Sequence, residues 1–210
     1  MSNDVAYPVF RTPDPLLALS TARRLMEFGR REYSEVAAYA EFSSVAEVRR
    51  VAEAMPGGWF RGASELKEFA GVPFEDQPPF VVGVPAADLP TEASAFEGRL
   101  PVEWDVFDQP VGSIEDAFTA AIGPSTGEIN WSSLQWPPAP ELGFRGESNH
   151  AEVTLLFNTH TRYATEPADD HTILVHVRSA NFNGHERNEP YAHWLAAQAG
   201  LTLIGPAQES

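Results

Sequence analysis

The 210-residue chain predicts an α+β fold: a mixed, largely antiparallel sheet with several short helices on one side. Three observations carry that expectation. Strand-like and helix-like patterns alternate in the first half, whereas hairpin signals dominate the second, a mixture that disfavours a doubly wound parallel sheet. The hydrophobic content of 43% suffices for a substantial core. No heptad, repeat or low-complexity tract offers a different architecture.

The elements follow in order. Val5 to Arg11 reads as a strand. In "TPDPLLALSTARRLMEFGRRE", Asp14 is a natural N-cap and Pro15 suits the first helical position, so a helix runs to about Phe28 and Gly29 ends it. "YSEVAAYAEF" alternates, placing Val36, Ala38, Ala40 and Phe42 on one strand face. Ser44 and Glu47 form a capping box for a helix with the apolar stripe Val45, Val48, Val51 and Ala52, stopped by Pro56-Gly57-Gly58. A short strand at Trp59 to Arg61, a short helix at Ser64 to Phe69 and the strand "PFVVGV" come next.

A strand at Val102 to Phe107 precedes the helix "IEDAFTAAI", which Ser113 is expected to cap and Gly123 to stop. "GPSTGEINWSSLQWPPAPELG" holds too much Pro, Gly and Ser for regular structure. The strongest pattern is a hairpin of "HAEVTLLFNTH" and "HTILVHVR", its loop centred near Glu166. A helix at Glu189 to Ala199 and a strand "LTLI" close the chain. The division this suggests is a βαβ-rich half, residues 1–90, for which a ferredoxin-like unit is the candidate, and an acidic α+β half, residues 91–210, within one continuous domain or two lobes.

Charge separates the halves more sharply than structure does. Residues 1–62 carry eight acids and eight arginines, so the whole net charge of −16 lies in residues 63–210. From Glu65 to Glu128 there are thirteen acids against only Lys67 and Arg99. Such a field repels phosphate, which argues against direct nucleic-acid binding and for either a solubilising surface or a basic protein partner. Arginines 23, 24, 30, 31, 49 and 50 on the first two helices offer a complementary stripe, so head-to-tail homo-oligomers are a further expectation.

No apolar run approaches the roughly 20 residues of a membrane span, and "MSNDVAYPVF" lacks signal-peptide character, so a cytoplasmic or virion-associated location is expected. The absence of cysteine excludes disulfides, thiolate catalysis and Cys-based zinc sites. Thirteen arginines against one lysine, with much Ala and Pro, suit a GC-rich genome such as that of an actinobacterium or one of its phages.

Phosphate-binding, dinucleotide, zinc-protease and serine-hydrolase motifs are all missing. All six histidines lie in the last third, from His150 to His193. His160 and His176, on the hairpin face opposite Val153, Leu155 and Phe157, sit roughly 13 Å apart in the expected register, too far to share a metal. His185, Glu189 and His193 remain as candidate ligands for zinc or manganese, since Glu189 and His193 are i and i+4 on the last helix. The simpler reading is a surface histidine beside a carboxylate.

Trp131, Leu134 and Trp136, before the stiff Pro137-Pro138, are candidate interface anchors, with folding back over a sheet face as the rival reading. Together with Glu92, Glu97 and Asp108 of the acidic region, they define the expected protein-binding residues. The sequence therefore favours a non-catalytic, acidic, cofactor-free protein that binds a basic partner, as toxin-neutralising immunity proteins, phage-encoded inhibitors or virion-associated subunits do. A metal-dependent hydrolase at His185, Glu189 and His193 is the alternative.

Overall fold

The computed structural model describes residues 4–62, 83–146, 151–162, 166–178 and 188–209, and in them the apolar periodicity resolves into nine hydrogen-bonded strands. The elements are β1 (Asp4–Thr12), α1 (Pro15–Met26), β2 (Glu35–Phe42), α2 (Val45–Ala54), β3 (Trp59–Gly62), β4 (Val84–Pro85), β5 (Val102–Pro110), α3 (Glu115–Ile122), β6 (Thr126–Leu134), β7 (Ala151–Phe157), β8 (His171–Arg178), α4 (Asn188–Gln198) and β9 (Gln208–Glu209). The strand order is β4-β3-β5-β2-β6-β7-β8-β1-β9, and every ladder between these strands is antiparallel.

One face of this sheet is apolar across its width. Val36, Ala38, Ala40 and Phe42 of β2 alternate onto it, in register with Trp104 and Val106 of β5 and with Ile129 and Trp131 of β6. Val153 and Leu155 of β7 and Val175 of β8 continue the same face. The buried residues of α1, α2, α3 and α4 join these strands in a single cluster, so all the described helices pack on that side. The α+β class and the one-sided helix layer are therefore as expected. Strands from 1–90 and 91–210 interleave in this sheet.

The described strands of residues 1–90 do not make a ferredoxin-like arrangement, because β6, β7 and β8 separate β1 from β2. A split βαβ pattern occurs instead in the middle of the chain. Alternating antiparallel neighbours make β2 and β3 parallel across β5, and β5 and β6 parallel across β2. The β2-α2-β3-β5-α3-β6 segment thus has the strand order of a ferredoxin-like unit, with α2 packed against α3.

Most local signals act as the sequence suggests. Asp14 accepts from the Leu16 and Leu17 amides, and Ser44 and Glu47 form their capping box. Three expectations need correction. Ser113 does not cap α3: its hydroxyl donates to the Pro110 carbonyl, and Glu115 turns back to accept from the Gly112 and Ile114 amides. The supposed irregular segment contains β6, in which Gly127, Ile129 and Trp131 face the core while Glu128 and Asn130 face away. "LTLI" forms no strand: Ile204 donates one hydrogen bond to Pro8, whose missing N–H prevents a ladder from continuing there, and β9 forms four residues later. The helix at Ser64 to Phe69 and most of "PFVVGV" lie outside the described residues.

Candidate functional site

The opposite face of the sheet carries no helix among the described residues, and its composition is unlike that of a passive surface. On β2, the residues between the core positions are Glu35, Ala37, Tyr39 and Glu41. Tyr39 lies between Asp105 of β5 and Glu128 of β6, while Glu41 stands directly opposite Glu103. Like charges paired across strands destabilise a sheet, and Glu103 meets Glu41 on one side while Arg61 of β3 stands opposite it on the other. Glu152 of β7 and Asp108, at a bulge in β5, add to the same field.

Two arginines enter this field. Arg61 of β3 pairs with Asp105 at 2.7 Å, as its carboxylate-rich setting suggests, and Arg162 of the β7–β8 loop approaches Glu128 at 3.8 Å. Burial still raises the Asp105 carboxyl above its usual range, against Arg61 and aided by Glu103. Burial likewise raises Glu128, opposed by Arg162 and reinforced by Glu152. The Tyr39 phenol is pushed up by burial and by Glu103 and Glu41.

Large apolar side chains stand among these charges. Trp59 is 45% exposed and Phe107 is 55% exposed. Phe107 is the next outward position after Glu103 and Asp105, and directly beyond it the β2–β5 register shifts between Val36 and Ala38, with Asp108 at a left-handed φ of 55°. The ring therefore stands between two clefts. One, of about 450 Å³, is bordered by Trp59, Arg61 and Asp105; the other, of about 300 Å³, by Tyr39, Glu128, Asn130, Glu152 and Arg162. A third hollow near Leu16 and His171 is apolar, and the His171 Nδ1 already accepts from the Asn158 amide.

Towards β8 the helix-free face becomes a small second core of Ala6, Leu156 and Leu174. His176 lies beside it, opposite Glu152, and burial pushes its pKa down to about 3 with a further contribution from Arg162. The loop is centred two residues earlier than expected, so Leu156 pairs with Thr172 rather than His176. His160, expected on the ladder, lies beyond β7 and pairs with Asp170.

The expected binding residues are dispersed. Trp131, Leu134 and Trp136 are in the core, at 0%, 0% and 2% exposure, which removes them as surface anchors. Both indoles use their N–H internally, Trp131 on Glu115 at 2.9 Å and Trp136 on the His176 carbonyl at 2.8 Å. Asp108 is on the helix-free face, but Glu92 and Glu97 flank a turn whose Phe96 packs into the helix-side core. The three acids do not form one patch. Sequence reasoning missed Trp59 and Phe107, although the alternation of Val102, Trp104 and Val106 with Glu103 and Asp105 already placed Phe107 on the outward face.

Glu189 and His193 are neighbours as expected, at 3.8 Å and both more than half exposed. His185 lies outside the described residues, and no cluster of three metal-ligating side chains occurs among the described ones. Several arginines of the proposed homotypic stripe are occupied internally: Arg23 by Asp116, Arg49 by the Pro90 carbonyl, and Arg50 by the Ala121 and Ile122 carbonyls at the end of α3. No described helix is long and apolar enough to cross a membrane. Comparison with protein-family models, with curated proteins and with solved structures finds no match to this chain.

Proposed function

We propose that this is a non-catalytic protein-binding protein whose helix-free sheet face docks a basic protein, in the manner of an immunity protein or inhibitor. One observation carries the reading: the like-charged surface of Glu41, Glu103, Asp108 and Glu152 is interrupted by the exposed rings of Trp59 and Phe107. Aromatic anchors within a charged surround match the usual anatomy of a protein interface. The charge favours a lysine- or arginine-bearing surface and disfavours nucleic acid.

The test compares partners captured from source cells by the wild-type chain and by two charge-reversed variants, using quantitative mass spectrometry. One variant carries Glu41→Lys, Glu103→Lys and Asp108→Lys on the helix-free face; the other carries Glu92→Lys, Glu97→Lys and Asp116→Lys on the helix side. A basic protein retained by the wild type and the helix-side variant, but lost from the first, supports the reading. Equal capture by all three, or an acidic partner, refutes it.

A further inference from the structure

The smaller cleft beside Phe107 has features that a merely solvated acidic surface lacks. Asn130 donates from Nδ2 to Glu152 Oε2 and to Thr154 Oγ1, both at 3.1 Å. The Thr154 hydroxyl lies 2.9 Å from His176 Nε2, while Nδ1 of the same ring faces the acceptor-only Glu152 carboxylate, so the tautomer in which Thr154 donates to Nε2 is the one that avoids opposing two acceptors. The neutral ring therefore carries its proton on Nδ1. That N–H is fully buried, has no hydrogen-bond partner, and faces Glu152 Oε2 across 3.9 Å.

A buried donor left unpaired costs about 1–3 kcal/mol, so this network is not explained by stability alone. It positions Glu152 from beneath, through Oε2. The two neighbouring acids, Glu128 and Asp105, each have an arginine, whereas Glu152 has none among the described residues. The cleft thus presents an oriented carboxylate on β7 towards one end and an exposed aromatic ring on β5 towards the other, in a volume of about 300 Å³ that suits one long side chain.

We infer that this cleft is a receptor for a single arginine side chain of the docked partner, an assignment that rests on the docking role proposed above. The arginine's aliphatic stem lies against Phe107 and its guanidinium donates to Glu152 Oε1. The guanidinium is more weakly hydrated than the compact ammonium of lysine, so it gives up less on entering this partly enclosed site.

The test titrates the ¹⁵N-labelled full chain with acetyl-Gly-Arg-Gly-amide and, separately, with its lysine counterpart, following the Asn130 side-chain amide and the Phe107 and Ser132 backbone amides. The arginine peptide is expected to shift them saturably and to bind at least about threefold more tightly than the lysine peptide. Glu152→Gln should weaken it about tenfold, and Phe107→Ala, which removes an exposed ring without touching the core, about threefold. Glu92→Gln, off this face, should leave it within about twofold. Equal affinity for the two peptides, or unchanged affinity in Glu152→Gln, overturns the assignment. An unmoved Asn130, while a glycine–arginine decapeptide still shifts other residues of the helix-free face, overturns the cleft and leaves the docking role standing. No response to the decapeptide overturns both.

Discussion

Replacing Glu115 with alanine tests whether Trp131 belongs to the core or to an interface. The carboxylate accepts from the Trp131 indole N–H at 2.9 Å, from the Ile114 amide at 3.1 Å and from the exposed Gly112 amide at 2.8 Å. It also places negative charge at the positive end of α3, as helix termini favour. In Glu115→Ala the Gly112 amide turns to water at little cost. The other two donors are buried, and each orphaned donor costs about 1–3 kcal/mol, towards the upper end because the lost acceptor was charged. The sum is about 4 kcal/mol. With a urea slope of about 2 kcal/mol/M, the unfolding midpoint falls by about 2 M. Urea titration followed by tryptophan fluorescence reads this directly. A midpoint within about 0.5 M of wild type would refute the internal anchoring of Trp131 and return it to the surface.

Four other outcomes are expected. Gly58→Ala would place a methyl group 1.9 Å from the Trp104 indole nitrogen, so the melting temperature should fall by an amount equivalent to about 2 kcal/mol or more, and an unchanged melt would refute the packing. His176, with its pKa down at about 3, stays neutral in the fold while the unfolded chain takes up a proton below about 6.5. Stability therefore falls as pH drops through that window, by up to about 1.4 kcal/mol per pH unit, and the difference from His176→Asn isolates this contribution from the raised carboxyls of Asp105 and Glu128, which act in the opposite sense. His193→Ala should change stability by less than about 0.5 kcal/mol, with zinc or manganese raising the melting temperature of neither protein; a metal-dependent rise lost in the variant would restore the hydrolase alternative. Reversing Asp108 should slow association with a basic partner while reversing Glu92 and Glu97 does not, and equal slowing by both would merge surfaces that the fold separates.

How much of this was legible depends on whether a signal was local. Asp14-Pro15, the Ser44–Glu47 box and the β2 alternation each specify their structure within a few residues, and each acts as read. In β6 the alternation was present too, with Gly127, Ile129 and Trp131 between Glu128 and Asn130, but its Gly and Ser content resembled a loop. Gly127 has a reason to be there: a Cβ would lie 2.6 Å from the Tyr39 carbonyl of the neighbouring strand. That neighbour is almost ninety residues away in sequence, so the reason could not be read locally.

The same limit hid the candidate site. Acidity was visible as a run along the chain, yet the face that matters draws Glu35 and Glu41 from the electrically neutral first 62 residues and excludes Glu92 and Glu97. Strand order decides which carboxylates meet, and strand order depends on long-range packing. The hairpin shows the same effect on a smaller scale, because a loop centre displaced by two residues moved His176 from Leu156 to Glu152.

The most direct measurement of the docking role is the association rate of the captured basic partner, followed by stopped-flow fluorescence of Trp59, the most exposed of the described tryptophans. Raising the salt from about 0.05 M to about 0.5 M should slow association about tenfold or more, because the face attracts its partner over a distance that salt screens. The Glu41→Lys, Glu103→Lys, Asp108→Lys variant should start slow and respond little to salt. A rate indifferent to salt in the wild type, or the same rate in the reversed variant, would show that the partner docks elsewhere.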